Sequence, residues 1–171
     1  MKDKKTRYIA FGGIIAALYV ALTYLANLFG LASGAIQIRI SEALTILPVF
    51  TGAAVPGLAV GCLLANLLTG CAIWDVIFGS AATLIGAVGT RLLRNRPYAA
   101  WIPPVASNAL IVPIILMKVY FVEDVEVFGQ AFSGNALWPI LAVTVGVGEI
   151  ISCCLLGLAL YHALKRTGIQ F

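Results

Sequence analysis

The sequence has few charged residues, and this scarcity excludes an ordinary water-soluble domain. Only 11% of its 171 residues are charged, 61% are hydrophobic, and the mean hydropathy is +1.02. Soluble domains carry about 25% charged residues. Because too little polar surface remains to face water, we predict a single integral membrane domain over residues 1–171, in contact with the lipid bilayer and without a separate soluble part.

The motifs of several enzyme classes are also missing. The sequence contains no GxxxxGK[ST] phosphate loop and no HExxH motif, and its one histidine is His162. The four cysteines show no CxxC or Cys/His ligand spacing, and we expect them to pack as small apolar residues. The sequence therefore predicts no catalytic residue, no metal site and no cofactor. The net charge of +4 does not indicate a nucleic-acid partner, because the basic residues lie at the ends of apolar segments.

What the chain does contain is six apolar segments. They cover approximately residues 8–29, 41–54, 55–69, 74–93, 99–122 and 137–164. A helix that crosses the hydrocarbon core fully needs about 17–25 apolar residues. The segments 41–54 and 55–69 are shorter, so tilted, kinked or partly re-entrant helices are alternatives there, with a break at Pro56 and Gly57. We predict an all-α membrane protein with six transmembrane helices.

The basic residues indicate an orientation, because they cluster before the first segment, between the fourth and fifth, and after the sixth. These residues are Lys2, Lys4, Lys5 and Arg7, then Arg91, Arg94 and Arg96, then Lys165 and Arg166. With six spans all three clusters lie on one side of the membrane, and the positive-inside rule makes that side cytoplasmic. Both termini are then cytoplasmic, in a multi-pass membrane protein.

Glu149 is the most unusual residue, since it lies at the centre of the last apolar segment. It is about twelve residues from the predicted outer end, or roughly 18 Å at the helical rise. A charge at such a depth costs about 2.5–3.5 kcal/mol or more, so intramembrane ionisable residues are functional candidates. The alternative is a buried carboxyl group, protonated or paired, with a structural role.

Other polar residues lie towards the predicted outer ends of their segments, which would bring them to one outward-facing region. In chain order they are Arg39, Glu42, Asn66, Trp74, Asp75 and Lys118, and Asn108 lies within the fifth segment. This pattern predicts a binding site for a polar ligand that arrives from outside.

Each of these residues also has a structural alternative. Arg39 and Glu42 are compatible with an interfacial ion pair, and Asp75 with capping of the fourth helix. The two asparagines are compatible with hydrogen bonds between helices. Trp74 is compatible with an interfacial aromatic belt, and Lys118 with snorkelling to the interface.

Three segments resemble the queuosine-precursor transporter family (QueT). They are IQIRISEALTILPVF (36–50), PGLAVGCLLANLLTG (56–70) and WDVIFGSAATLIGA (74–87). Members of this family are S components, the substrate-binding subunits of energy-coupling factor (ECF) vitamin transporters. The resemblance implies six helices, cytoplasmic termini, a high-affinity site near the outer face and a location in the bacterial cell membrane. It does not extend to the loop 123–135.

The resemblance also implies protein partners: a transmembrane coupling subunit and two cytoplasmic ATPases. This agrees with the missing phosphate loop. S components contact their coupling subunit through small residues on the first helix. Here Gly13, Ala17 and Ala21 recur at intervals of four residues and would form a flat face. Packing within the protein is the alternative role for this face.

The ligand implied by the resemblance is a 7-deazaguanine, such as queuine or 7-aminomethyl-7-deazaguanine. Its guanine-like edge presents two adjacent N–H donors, which one carboxylate accepts together. We assign this edge to Glu149. The other ligand features have the following candidates: Asn108, Asn66 or Lys118 for the keto oxygen, Asp75 or Glu42 for the cationic substituent, and Trp74 and Phe78 for the flat ring.

Two other functions remain open at this point. The chain could be an S component for another vitamin. It could also be a secondary transporter that works alone, coupled to ions or protons, with Glu149 as the titrating carrier.

Overall fold

The computed structural model describes residues 2–30 and 38–167, and that part of the chain is mostly helical. The α-helices are α1 (Lys2–Leu28), α2 (Ala54–Leu68), α3 (Ile73–Leu92), α4 (Ile102–Lys118), α5 (Leu137–Glu149) and α6 (Gly157–Thr167). Shorter 3₁₀ helices cover Ile40–Val49, Pro97–Ala99 and Gly134–Ala136, and a π-helical segment, Ile150–Leu156, joins α5 to α6. Residue 1, residues 168–171 and the first two residues of the segment 36–50 lie outside the described residues.

A small β-hairpin occupies part of the loop 123–135. Strand β1 (Asp124–Val127) pairs antiparallel with β2 (Gln130–Ser133). Phe128 and Gly129 connect the strands and both have positive φ, the backbone of a type I′ hairpin turn.

Four stretches of the described residues are long and apolar enough to cross a membrane. They are Asp3–Leu28, Ile73–Leu92, Pro97–Lys118 and Gly134–Thr167. The predicted second and third spans correspond to the shorter helices Ile40–Val49 and Ala54–Leu68. At their usual rise per residue, each is about 20–23 Å long, less than the hydrocarbon thickness of about 30 Å. The helical membrane class is confirmed, whereas these two helices are too short to span alone.

The 3₁₀ helix Ile40–Val49 lies at the centre of the bundle. It packs against α1, α3, α6 and the π-helical segment, and the residues from Ser41 to Pro48 are all buried. A helix that is apolar on nearly every side is stable only when surrounded. Because this helix is enclosed, its acid, Glu42, is carried into the interior of the protein.

The break between the second and third predicted spans lies earlier than the sequence indicates. Pro56 and Gly57 fall within the first turn of α2, and the helix is interrupted at residues 50–53 instead. Proline is tolerated in a first turn because an N–H there has no acceptor within the helix. Gly57 serves packing: a Cβ at this position would lie 2.7 Å from the carbonyl oxygen of Gly12 in α1. The backbones of α1 and α2 are therefore in direct contact.

The distribution of polarity is the reverse of that in a soluble protein. Large apolar side chains are exposed around the bundle, among them Ile14, Leu67, Ile85, Val143 and Leu155. Polar side chains are buried within it, among them Glu42, Thr45, Asn66, Asn108 and Glu149. Soluble proteins rarely bury a carboxyl group without a charged partner. The exposed apolar surface matches lipid, and the buried polar groups define where the chemistry lies.

Candidate functional site

A cavity of about 470 Å³ lies at the end of the bundle opposite the basic start of α1. The C-terminal ends of α1, α2 and α4 and the N-terminal ends of α3 and the Ile40–Val49 helix enclose it. This volume suits a small molecule, because such sites typically occupy about 300–1,000 Å³. The polar lining residues are Thr23, Asn27, Arg39, Ser41, Asn66, Thr69, Asp75 and Tyr120, and the apolar ones include Val112, Ile115 and Leu116.

A left-handed turn after α2 brings polar groups to this cavity. Gly70 has a φ of +75°, which glycine adopts without a steric cost. The N–H groups of Gly70 and Cys71 donate to the carbonyl oxygens of Leu67 at 3.3 Å and Asn66 at 3.0 Å, which is the Schellman arrangement. The chain therefore reverses beside Asn66, and the first turn of α3 begins next to it.

Asn66 connects three elements in the cavity wall. Its side-chain oxygen accepts a hydrogen bond from Arg39 at 3.1 Å, and its amide nitrogen donates to the backbone oxygen of Asp75 at 3.5 Å. Asn66 therefore makes a hydrogen bond between helices, which is the structural alternative that the sequence offered for it. Arg39 and Glu42 have different hydrogen-bond partners among the described residues: Arg39 donates to Asn66, whereas Glu42 accepts from Tyr19. The wall of the cavity is held by the Arg39–Asn66 hydrogen bond rather than by an Arg39–Glu42 pair.

Asp75 contributes a carboxylate where α3 begins. Tyr120 donates to Oδ2 of Asp75 at 3.0 Å, and its hydroxyl oxygen accepts from the backbone N–H of Ala72 at 3.2 Å. Partial burial and the neighbouring Asp75 carboxylate raise the pKa of Tyr120 to about 12, so its hydroxyl remains a donor at physiological pH. The N-cap of α3 is Ala72, and no side chain caps this helix. Asp75 is therefore held towards the cavity and does not cap α3.

A second group of polar side chains is fully buried. Tyr19 in α1 donates to Oε1 of Glu42, which is 0% exposed. Cys153 in the π-helical segment donates to Oε2 of Glu149 at 3.3 Å, and Glu149 is 4% exposed. Glu42, Glu149 and Cys153 each place one oxygen or sulfur atom within 4.8 Å of the other two. The fold thus brings together two carboxyl groups that are far apart in the sequence. We call these residues, together with Asn108, the buried cluster.

Some atoms of the buried cluster have no hydrogen-bond partner among residues 2–30 and 38–167. They are Oε2 of Glu42 and both amide atoms of Asn108; the Asn108 amide lies beside the Glu149 carboxyl group but makes no hydrogen bond of normal geometry with it. Leaving a buried polar atom unpaired costs about 1–3 kcal/mol. Buried polar atoms in native proteins nearly always have a partner in the protein, in water or in a ligand. A polar ligand that reached these atoms would gain hydrogen bonds that the free protein lacks.

The buried cluster lies one helical turn deeper than the cavity. Val112 lines the cavity, and Asn108 is four residues earlier in α4, about 6 Å further along the helix. In α1, Thr23 lines the cavity and Tyr19 lies four residues deeper. The Thr23 hydroxyl is hydrogen-bonded at 2.9 Å both to the Tyr19 carbonyl and to Ser41. The cavity and the buried cluster therefore form one polar region.

Acceptors predominate in the buried cluster, and this limits its chemistry. Carboxylate oxygens accept hydrogen bonds and bind N–H groups or cations. Three potential ligand atoms from Glu42, Glu149 and Cys153 also meet the minimum requirement for holding a metal ion, a grouping that sequence spacing did not indicate. The described residues of this region contain no serine activated by a histidine. His162 lies in α6, where its ring is hydrogen-bonded to the Leu158 carbonyl oxygen.

Three predicted site residues lie elsewhere. Trp74 and Phe78 stack on each other with ring centroids 6.0 Å apart, and both are about half exposed. Together with Lys118 they line a separate apolar groove on the outside of α3 and α4. Successive side chains on a helix point in different directions, so Asp75 faces the cavity while Trp74 faces outwards. The structure therefore groups Arg39, Glu42, Asn66, Asp75, Asn108 and Glu149, and it separates Trp74, Phe78 and Lys118 from them.

Sequence reasoning missed several residues of this region. Tyr19 and Thr23 carried a signal, because two hydroxyl residues four apart in an apolar helix share one face. Tyr120 carried none, since it follows α4 and reaches Asp75 only through the fold. Cys153 was expected to be buried, as it is, but not to contact Glu149. The π-helical segment that begins directly after Glu149 was also unforeseen; such segments are frequent at functional sites.

The small-residue stripe of α1 faces outwards. Gly13, Ala17 and Ala21 are all exposed, and a Cβ placed on Gly13 would meet no atom within 4 Å. Internal packing uses the opposite face, where Gly12 and Ala16 contact α2. The stripe is therefore free for contact with another helix.

Comparison with known proteins identifies relatives of this chain. The family model described as QueT transporter matches residues 9–166. A curated protein named Queuosine precursor transporter QueT, from Lactococcus lactis subsp. cremoris (strain MG1363), is 38% identical over 86 residues. That match covers 50% of this chain and spans half the length of the relative. No solved structure matches the chain.

Proposed function

Because the chain belongs to the QueT transporter family, we propose that it is the substrate-binding S component of an ECF-type importer for a queuosine precursor. Membership of a transporter family indicates transport rather than catalysis. The observation that carries the proposal is the buried cluster next to the cavity. A membrane protein keeps two carboxyl groups and an unpaired amide in its interior only at a considerable cost, which a bound ligand would offset.

The proposed ligand is a 7-deazaguanine such as queuine or 7-aminomethyl-7-deazaguanine. Its guanine-like edge carries N–H donors, and the Glu149 carboxylate is a suitable acceptor at the inner end of the polar region. Its substituent amine is cationic, and Asp75 supplies a second carboxylate at the other end of that region. The flat ring would contact Val112, Ile115 and Leu116 in the cavity wall.

The proposed topology has six helical segments with both termini in the cytoplasm and the cavity on the outer side. The basic residues at the start of α1 and at the end of α6 support this orientation. The cavity lies at the end of the bundle away from them. The two short helices would complete the bundle as partial spans enclosed by the longer helices.

The proposed partners are a transmembrane coupling subunit and two cytoplasmic ATPases. The chain has no phosphate loop of its own, so in this proposal ATP is hydrolysed by another protein. The exposed stripe of Gly13, Ala17 and Ala21 would give the coupling subunit a face that a helix can approach closely.

Competition binding tests the proposed ligand. Protein purified in detergent should bind 7-aminomethyl-7-deazaguanine or queuine far more tightly than adenine, because adenine presents a different order of donors and acceptors and leaves buried atoms unpaired. Mass spectrometry of the ligand that co-purifies identifies the natural compound. Equal affinity for adenine, or co-purification of another vitamin, would refute the choice of ligand.

Transport in proteoliposomes tests the proposed mode of action. The isolated chain should bind ligand without accumulating it, and accumulation should begin when the coupling subunit and the ATPases are added with ATP. Uptake by the isolated chain that follows an ion or proton gradient would instead identify a secondary transporter.

A further inference from the structure

Three polar side-chain atoms of the buried cluster are without partners in the described part of the chain, and they form a specific pattern. Asn108 offers one donor and one acceptor from the same amide, and Glu42 offers the acceptor Oε2. Asn108 is 1% exposed and Glu42 is 0% exposed, so both side chains lie in the interior of the bundle. The carboxyl group of Glu149 completes the pattern beside Asn108 and Glu42.

The surroundings of Glu42 fix which of its oxygens is available. Tyr19 holds Oε1, and Thr45 donates to the backbone oxygen of Glu42 at 2.6 Å. The carboxyl group is therefore anchored on one side, and Oε2 is left to face a partner. The neighbouring Glu149 cannot be that partner as a second carboxylate, because both groups would then be acceptors.

A primary amide pairs with a lactam through two hydrogen bonds. The amide nitrogen donates to the lactam oxygen, while the amide oxygen accepts from the lactam N–H. A guanine-type base has such a lactam and carries an exocyclic amine next to it, whereas a hypoxanthine-type base has the lactam alone. The unpaired atoms of Asn108 match the lactam, and Oε2 of Glu42 with the Glu149 carboxylate matches the two hydrogens of the amine.

We propose that the buried cluster is the inner end of the ligand site and recognises two parts of the base edge separately. Asn108 pairs with the lactam, and Glu42 together with Glu149 binds the exocyclic amine. This assignment rests on the proposed function and extends it, since it makes Glu42 the residue that selects for the amine. The ring enters by way of the cavity and its edge reaches one helical turn deeper, where the unpaired atoms lie.

The test compares two ligands that differ only in the amine, 7-deazaguanine and 7-deazahypoxanthine. The parent protein should prefer 7-deazaguanine by about 10- to 150-fold in Kd, the range that one charge-assisted hydrogen bond provides. In Glu42→Gln this preference should fall by about tenfold or more, because an amide nitrogen replaces the acceptor Oε2 and leaves the Glu149 carboxylate as the remaining acceptor for the amine. Glu126→Gln, the same change on the exposed strand β1, should leave the preference as it is in the parent.

A second variant tests whether Asn108 pairs with the lactam. It should weaken binding without lowering thermal stability. Asn108→Leu keeps the same branched arrangement of four side-chain heavy atoms and removes two unpaired polar atoms, so the thermal midpoint should be unchanged or higher. Its affinity for both ligands should fall by about tenfold or more, while the ratio between the ligands stays as in the parent. A purely structural Asn108 would instead lower the midpoint and leave affinity intact.

The outcomes distinguish this inference from the proposed function. If the parent binds neither 7-deazapurine, the proposed function fails. If the parent binds 7-deazaguanine but Glu42→Gln keeps the preference for the amine, or Asn108→Leu keeps full affinity, the assignment of the inner site is overturned while the proposed function stands.

Discussion

Replacing Glu149 with glutamine would separate a ligand-binding role from a packing role at this buried acid. Glutamine keeps the size of the side chain and one oxygen that can accept from Cys153, the present donor at 3.3 Å. It replaces the other oxygen with an N–H₂ group that would face the N–H donors of the ligand. The loss of a charge-assisted hydrogen bond should cost about 1.5–3 kcal/mol of binding free energy. This corresponds to an increase of about 10- to 150-fold in Kd.

The free energy of unfolding should change little or rise in the same variant. One oxygen of Glu42 lies within 4.8 Å of Glu149. Two unit charges at this separation repel by about 3.5 kcal/mol at an effective dielectric constant of about 20. A neutral amide removes that repulsion and is cheaper to hold inside a membrane than a carboxylate. Binding and stability should therefore respond in different directions.

Both quantities can be measured on one preparation. Calorimetric titration with 7-aminomethyl-7-deazaguanine gives Kd, and thermal unfolding in the same detergent gives the midpoint. Glu126→Gln on the exposed hairpin controls for the loss of one carboxylate. A Glu149→Gln protein that binds like the parent but unfolds at a lower temperature would refute the ligand-binding role and make Glu149 a packing residue.

Three further predictions follow from the same geometry. Ala17→Leu on the exposed face of α1 should block ATP-driven transport by the assembled importer while Kd stays within about twofold, and an equal loss of binding would contradict the docking role. Asp75→Asn should weaken binding of the aminomethyl ligand by about tenfold but barely affect 7-deazaguanine, which lacks the cation; titration of both ligands checks this. Gly57→Ala should lower the free energy of unfolding by about 1–3 kcal/mol, because its Cβ would lie 2.7 Å from the Gly12 carbonyl oxygen. Gly13→Ala, whose Cβ meets nothing within 4 Å, should change the thermal midpoint little, and similar midpoints for both variants would exclude the clash.

The sequence by itself determined the class of the protein and the residue to examine first. Hydropathy predicts whether a helix lies in lipid or in water, because the hydrophobic effect scales with apolar surface area and does not depend on which residues are in contact. The scarcity of charge therefore predicted a helical membrane protein, and the isolated Glu149 stood out against its apolar neighbours. Segment order was predictable as well, since each apolar run became a helix. The length and type of the Ile40–Val49 helix were not, because a 3₁₀ helix of ten residues is stable only within its surroundings.

Only the tertiary structure decided which polar residues lie together. Glu42 and Glu149 meet because the Ile40–Val49 helix is buried against the π-helical segment, a contact between distant parts of the chain that local pattern does not encode. The direction of each side chain was decided in the same way. Asp75 and Trp74 are adjacent in sequence, yet the rotation of α3 turns Asp75 to the cavity and Trp74 to the outside of the helix bundle. Depth along a helix can be read from a sequence, whereas the face that meets a neighbour depends on how the helices pack.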